Sequence, residues 1–367
     1  MKKIICIILL LTIFTISFYG CNKSKYPPIK SSAREAETVI TMTYDDYKFD
    51  IRYELYRALF LSNKNKVDNG NADVWDSAQK DKYISSINEI ITGYAAEIYA
   101  PFVLAAEIGI DPYSKEVDEK IDELIRIAVE GGDDSIGFGG DYDAYLASLK
   151  ENNHNYETQR LLLRYSVLLE MINEYYKGYE DEALGWIDGE FTVSEDDVRA
   201  FYFSNKTVRI LQAYVQDGAY SDPMARAEEL VSGIKGCESD FDVALYIINH
   251  TAQIPTELIN NKQVSGIVIS ENSLDDNFDE YTNCAFDLPC GQVSDPIHVD
   301  GIGGGYYVIY KLEKSNEHFS LCYKEICEEY IDNFVNERLT QICQGLLSNI
   351  NTTKNYSNII HKDISMQ

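Results

Sequence analysis

Leu274-Asp-Asp-Asn-Phe278, Cys284-Ala-Phe-Asp-Leu-Pro-Cys-Gly-Gln-Val-Ser-Asp-Pro296 and Gly305-Tyr-Tyr-Val-Ile-Tyr-Lys-Leu312 decide how the chain is read. Their spacing predicts a helical turn carrying Phe278, Ala285 and Phe286, then a turn at Gly291, a short edge at Val293 and Ser294, and a buried strand from Tyr306 to Leu312. Pro296 has no amide donor and limits pairing at that edge. Upstream, Val208 to Val215 reads as a strand, Ala225 to Ile234 as a helix, and Asp240 to Leu245 as the start of a second helix.

At 367 residues the chain is long enough for two domains, taking about 150 residues for each. Charged residues make up 25% and hydrophobic ones 45%, an ordinary globular composition. A net charge of -28 argues against nucleic acid, because phosphate binding requires clustered cations that release counterions. Lys2 and Lys3 precede an apolar run, Ile4 to Phe18, that is shorter than the roughly 20 residues of a membrane span and has the layout of an export signal. Ser17-Phe-Tyr-Gly-Cys21 resembles a bacterial lipobox, which implies cleavage and lipidation at Cys21; a plain signal peptide with an incidental Cys21 is the alternative. Asn22 to Glu37 has no apolar period and reads as a tether.

Six cysteines follow Cys21, at 237, 284, 290, 322, 327 and 343. An even number in an exported chain permits disulfides and leaves their connectivity open. Cys322 and Cys327 fall on different faces of a helix, which disfavours a local bridge or a shared metal. No CxxC or HExxH occurs, and neither a metal nor a cofactor is expected.

The rest of the pattern is helical. Ile84, Ile87, Ile91, Ala95, Ile98 and Phe102 recur at steps of three and four, a buried stripe that Pro101 is expected to kink or restart. Before it, Phe49, Tyr53, Tyr56 and Phe60 share helical spacing after a strand-like start at Met42. Ser114 is a candidate N-cap for a helix carrying Val117, Ile121, Leu124 and Val129. Gly131 to Gly140 reads as a connector. Leu161, Leu162, Tyr165, Leu168, Leu169 and Ile172 mark another helix, and Val193-Ser194-Glu-Asp-Asp197 is a capping box. Phe319, Tyr323, Ile326, Tyr330, Phe334, Leu339, Ile342 and Leu346 form a terminal stripe, with the earlier helical segments as its expected partner. The Gly301 to Gly305 run reads as a hairpin tip.

The order Phe278, Ala285-Phe286, Leu288, Gly291, Val293-Ser294, Pro296 and Gly305-Tyr306 through Lys311-Leu312 resembles the last third of a parvulin-type peptidyl-prolyl isomerase domain. With the upstream strand and helices the resemblance spans roughly residues 206 to 313. Ala105 to Asp118, Tyr142 to Lys150 and Arg160 to Arg164 resemble the helical chaperone domain that precedes parvulin in the extracytoplasmic PrsA and SurA foldases. The resemblance implies an α+β architecture: a signal over 1–20, a tether over 21–40, a helical domain over 41–205, a parvulin-like domain over 206–313, and a terminal helix and tail over 314–367 that completes the helical domain.

It also implies a site. Parvulins hold proline in an apolar pocket, here Leu274, Phe278 and Phe286, beside a polar set that commonly includes a histidine pair. The two histidine positions fall on Gln212 and Tyr307, and His250 lies near the Asp or Cys position; the glycine-rich turn is reduced to Gly266. Gln and Tyr can still form hydrogen bonds, but neither supplies an imidazole. The expected function is therefore an extracytoplasmic, membrane-anchored folding factor that binds unfolded or extended polypeptides, proline-containing ones among them, with a catalytically degenerate isomerase domain. An active isomerase with altered polar residues and a surface lipoprotein for one specific partner are the alternatives. The 28 tyrosines supply apolar area with a polar tip, suited to loose client contact.

Overall fold

The computed structural model describes residues 26, 29–69, 71, 75, 78–132, 137–181, 185–251, 259–260, 263–271, 278–300 and 304–352. Cys21 and the apolar run before it, and Leu274, lie outside them. The described residues form two compact units, one of residues up to Glu190 together with Glu337 onward, the other of Phe191–Asn336. Both combine helices with antiparallel strands, an α+β architecture.

In the first unit, β1 (Thr38–Tyr44) and β2 (Tyr47–Arg52) form a hairpin, followed by helices α1 (Tyr53–Asp68), α2 (Lys80–Glu107), α3 (Lys115–Glu130), α4 (Tyr142–Glu151) and α5 (Tyr156–Lys177). A small hairpin, β3 (Gly178–Asp181) with β4 (Gly185–Asp188), closes this run. Every residue of the predicted stripe from Ile84 to Phe102 is buried. Helix α2 runs through Pro101 without a break. The missing amide and ring clash cost about 3 kcal/mol in a helix interior, but Ile98, Tyr99, Phe102, Val103 and Leu104 are all buried on either side, and their combined burial exceeds that cost. Phe49, expected at helical spacing, sits on β2 instead, its ring stacked 4.6 Å from Tyr99. In α3, Ile125 takes the core position and Leu124 is half-buried. Ser114 caps that helix as read, accepting from Val117 N at 3.3 Å.

The expected tether is partly structured. Tyr26 is buried, donates to Glu130 at 2.8 Å and packs on Tyr142, and β1 starts at Thr38. A strand absent from the sequence reading, β11 (Ile350–Thr352), pairs antiparallel with β1, giving the sheet order β11-β1-β2.

The second unit opens with α6 (Glu195–Phe203), which Ser194 caps: its Oγ accepts from Asp197 N at 3.1 Å and donates to the Asp197 carboxylate. Strand β5 (Thr207–Gln216) and helices α7 (Pro223–Lys235) and α8 (Asp240–His250) follow, then a small hairpin, β6 (Ile259–Asn260) with β7 (Gln263–Val264). Next come β8 (Ile267–Ser270), α9 (Asp279–Asp287), β9 (Ile297–Val299) and β10 (Gly305–Leu312). These make a four-stranded antiparallel sheet in the order β8-β5-β10-β9.

Alternation along the strands divides the residues between two faces. Leu211, Ala213, Val215, Val308 and Leu312 pack on α7 and α8. Val208, Ile210, Ile309, Ile269, Ile297 and Val299 pack on Tyr281 and Ala285 of α9. The turn before β8 is pinned from beneath. Arg209 donates to Ser265 O at 2.9 Å, to Glu313 O at 2.7 Å and to Val264 O. Gly266 in that turn has φ +68, and a Cβ there would stand 2.7 Å from Ile210 O, so glycine is required on both counts.

The terminal stripe is carried by two helices, α10 (Asn316–Leu321) and α11 (Tyr323–Ser348). Phe319, Cys322 and Ile326 join Val198 and Tyr202 of α6 in the second unit, so the start of the stripe does not use the partner expected for it. Beyond Glu337, Ile342, Cys343 and Leu346 are buried in the first unit, where Arg338 pairs with Glu107 at 2.8 Å. Cys237, Cys284, Cys290, Cys322, Cys327 and Cys343 are free thiols.

Candidate functional site

Gln212 lies on β5 opposite Ile309 of β10, and Tyr214 lies opposite Tyr307. Two-residue alternation therefore sends Gln212, Tyr214 and Tyr307 to the face covered by α9. Phe278 stands at the N-cap of α9, and Tyr281 follows one helical turn later. The two positions meet the strands. Phe278 sets its ring edge-on to Tyr307 at 5.7 Å and 71°, Tyr281 does the same at 5.4 Å and 77°, and Tyr214 lies against Tyr307 at 4.8 Å. Edge-to-face pairs at these separations are favourable beyond their burial, because the positive edge of one ring meets the negative face of the other.

Two of the polar tips are hydrogen-bonded. Tyr281 OH donates to Gln212 Oε1 at 2.5 Å, and Tyr214 OH donates to Gly304 O at 3.0 Å. Burial raises the phenols of Tyr281, Tyr307 and Tyr214 above their ordinary values, most strongly for Tyr281. They are neutral donors at physiological pH. The Cys284 thiol is also pushed up, by burial and by the nearby carboxylates of Asp287, Asp295 and Glu280, which disfavours the reactive thiolate. Phe286 is half-buried against the same cluster, and its carbonyl accepts Lys311 Nζ at 2.6 Å. Ser294 is buried in the backbone ladder: its N donates to Ile309 O at 2.8 Å and its Oγ accepts from Ile309 N at 2.9 Å.

Gln212, Tyr307, Phe278 and Phe286 thus come together on one face. His250 does not. It ends α8, on the opposite face of the sheet, where its ring stacks on Tyr246 at 4.0 Å and its Nδ1 approaches Tyr246 O at 2.7 Å. Tyr214 and Tyr281 complete the cluster without having been singled out in the sequence. Both carried a signal: Tyr214 is two residues from Gln212 on one strand, and Tyr281 is three from Phe278 on one helix. Chemically, the arrangement is an aromatic wall with one amide and phenolic hydroxyls, able to hold an apolar ring and a peptide group, and without an imidazole at Gln212 or Tyr307.

A four-stranded antiparallel sheet with two helices on one face and a third helix presenting this wall on the other defines the class of the second unit. Among solved structures, the chain is similar to PrsA from Bacillus subtilis, with 18% identity and a TM-score of 0.25, covering 70% of this chain and 82% of that one. It is also similar to the foldase protein PrsA from Streptococcus pneumoniae, with 17% identity, a TM-score of 0.29 and coverage of 87% and 97%. The foldase protein PrsA from Lactococcus lactis gives 13% identity, a TM-score of 0.25 and coverage of 89% and 98%. No protein-family model and no curated protein matches the chain.

Proposed function

We propose that the chain is an exported, lipid-anchored folding factor whose second unit binds extended segments of unfolded polypeptides and isomerises prolyl bonds little, if at all. The observation that carries this reading is the pairing of Gln212 with Tyr281 beneath Tyr307 and Phe278. An amide and a phenol stand where the parvulin resemblance calls for imidazoles, while the aromatic wall for a proline ring is kept. Tyr281 already engages Gln212 Oε1, so that oxygen is committed inside the site. An extended peptide suits the remainder: rings grip its apolar side chains and Tyr307 offers a polar tip. Leu274 is proposed as a further pocket residue and Cys21 as the lipidated one; Cys21→Ala should move the protein from the membrane to the soluble fraction.

The reading is tested by aggregation. Several unrelated unfolded proteins, diluted from denaturant with the intact chain, should stay soluble in proportion to its concentration. Protection of none of them, with tight binding to a single folded protein, would replace this reading by a dedicated surface-binding one.

A further inference from the structure

The first unit carries an apolar groove of about 410 Å³ that plays no part in the site above. Tyr47 and Phe49 of β2, Phe102 and Ala106 of α2, and Pro112 and Tyr113 of the following loop line it. Its size falls within the range of about 300 to 1,000 Å³ common for ligand sites. The wall is fixed in advance: Arg164 donates to Pro112 O at 2.6 Å and lies 5.0 Å from the Tyr113 ring, while Asp111 Oδ1 accepts from Tyr113 N at 2.9 Å. Tyr113 is nonetheless 63% exposed, a large ring held in place with one side open.

The sheet contributes to the groove only through β2, its edge strand. Thr43 N donates to Asn349 O, away from β2. Its register partner on β2 is Lys48, and two residues along Asp50 faces Thr41 in the same type of pair. In an antiparallel ladder such pairs turn their backbone groups outward. Among the described residues, no hydrogen bond to the backbone of Lys48 or Asp50 is found. An unpaired edge beside an apolar groove is the geometry of strand addition, in which main-chain bonds supply affinity and a pocket selects a side chain.

We infer that β2 and this groove form a second polypeptide-binding site, taking an uncharged extended segment that pairs with Lys48 and Asp50 and places one aromatic or bulky aliphatic side chain in the groove against the open side of Tyr113. Charge selects this occupant. The edge alternates in sign through Lys48, Asp50 and Arg52, with Asp111 at the groove, which favours neither an anion nor a cation. A second copy of the chain is opposed by the net charge of -28 on each molecule.

The test uses the full chain and a fluorescein-labelled decapeptide of Ser and Thr with one central Phe, beside the same peptide N-methylated at alternate residues. The unmethylated peptide should bind, and the peptide methylated on its pairing edge should bind at least about tenfold more weakly. Ala106→Phe, which fills the groove, and Lys48→Pro, which removes an outward amide and is tolerated on an edge strand, should each have a similar effect. The same measurements are repeated in a Phe278→Ala background, which weakens the site proposed above; the losses on methylation, Ala106→Phe and Lys48→Pro should persist there, separating the two sites. Equal binding of both peptides, or binding indifferent to Ala106→Phe, would overturn the assignment. So would a concentration-dependent dimer abolished by Lys48→Pro with no peptide bound, which would give the groove to a second copy.

Discussion

The phenol of Tyr281 and the side-chain oxygen of Gln212 are joined at 2.5 Å between α9 and β5. Tyr281 is 2% exposed and Gln212 is half-buried, so the bond ties the helix that carries the aromatic wall to the sheet beneath it. Tyr281→Phe keeps the ring contacts and removes the donor. The variant should be destabilised by about 0.5 to 1.5 kcal/mol, the net worth of one such bond, read as a lower urea midpoint with an unchanged slope. A loss above about 3 kcal/mol would mean that the hydroxyl serves a larger network than this pair.

His318 predicts a pH dependence of the second unit. Burial, and secondarily the charge of Arg209, lower it from its ordinary value of 6.5 to about 4, while its Nδ1 meets Tyr202 OH at 2.8 Å. Above pH 6.5 it is neutral whether the chain is folded or not, and it does not affect the balance. As the pH falls from 6.5 to 4 the unfolded chain takes up a proton that the folded one refuses, so stability is lost across that window. The loss should approach about 3 kcal/mol at its lower end. His318→Gln should lose less between pH 7 and pH 4.5 than the unmodified protein; parallel losses would show that carboxylates alone set the acid limit.

Residues on either side of the second unit should hold the first together. Ile350 pairs with Met42, Asn349 O accepts from Thr43, and Arg338 reaches Glu107. Deleting residues 206–312 and bridging the ends should therefore leave a helical product with a single cooperative thermal transition by circular dichroism. A product with helical signal and no cooperative melt would mean that the first unit depends on the deleted residues for its core.

Much of this was legible because periodicity reports burial directly. The stripe from Ile84 to Phe102, the strands at 208–215 and 306–312, and the caps at Ser114 and Ser194 follow from local spacing and local hydrogen bonds. What was missed depends on residues distant in sequence. β11 is three residues long and becomes a strand only because β1 lies beside it. Phe49 shares helical spacing with Tyr53 and Tyr56, and only the turn at Asp45, with φ 47, makes it part of a hairpin. Helix α2 passes through Pro101 because tertiary burial outweighs a local penalty that any sequence rule would apply. At the site, order alone was enough to bring Gln212, Tyr307 and Phe278 to one face, whereas placing His250 on the other required knowing which face α8 covers.

The isomerisation rate of a proline-containing peptide, measured with the intact chain and with Phe278→Ala, tests the central claim most directly. The account predicts a rate barely above the uncatalysed one for both, with the same peptide bound about 1 to 3 kcal/mol more weakly once the Phe278 ring is lost. The companion variant, Gln212→His with Tyr307→His, supplies the missing imidazoles and should raise the rate above that of the unmodified chain. Robust turnover by the unmodified chain, abolished by Phe278→Ala, would contradict the account and make the aromatic wall part of an active isomerase.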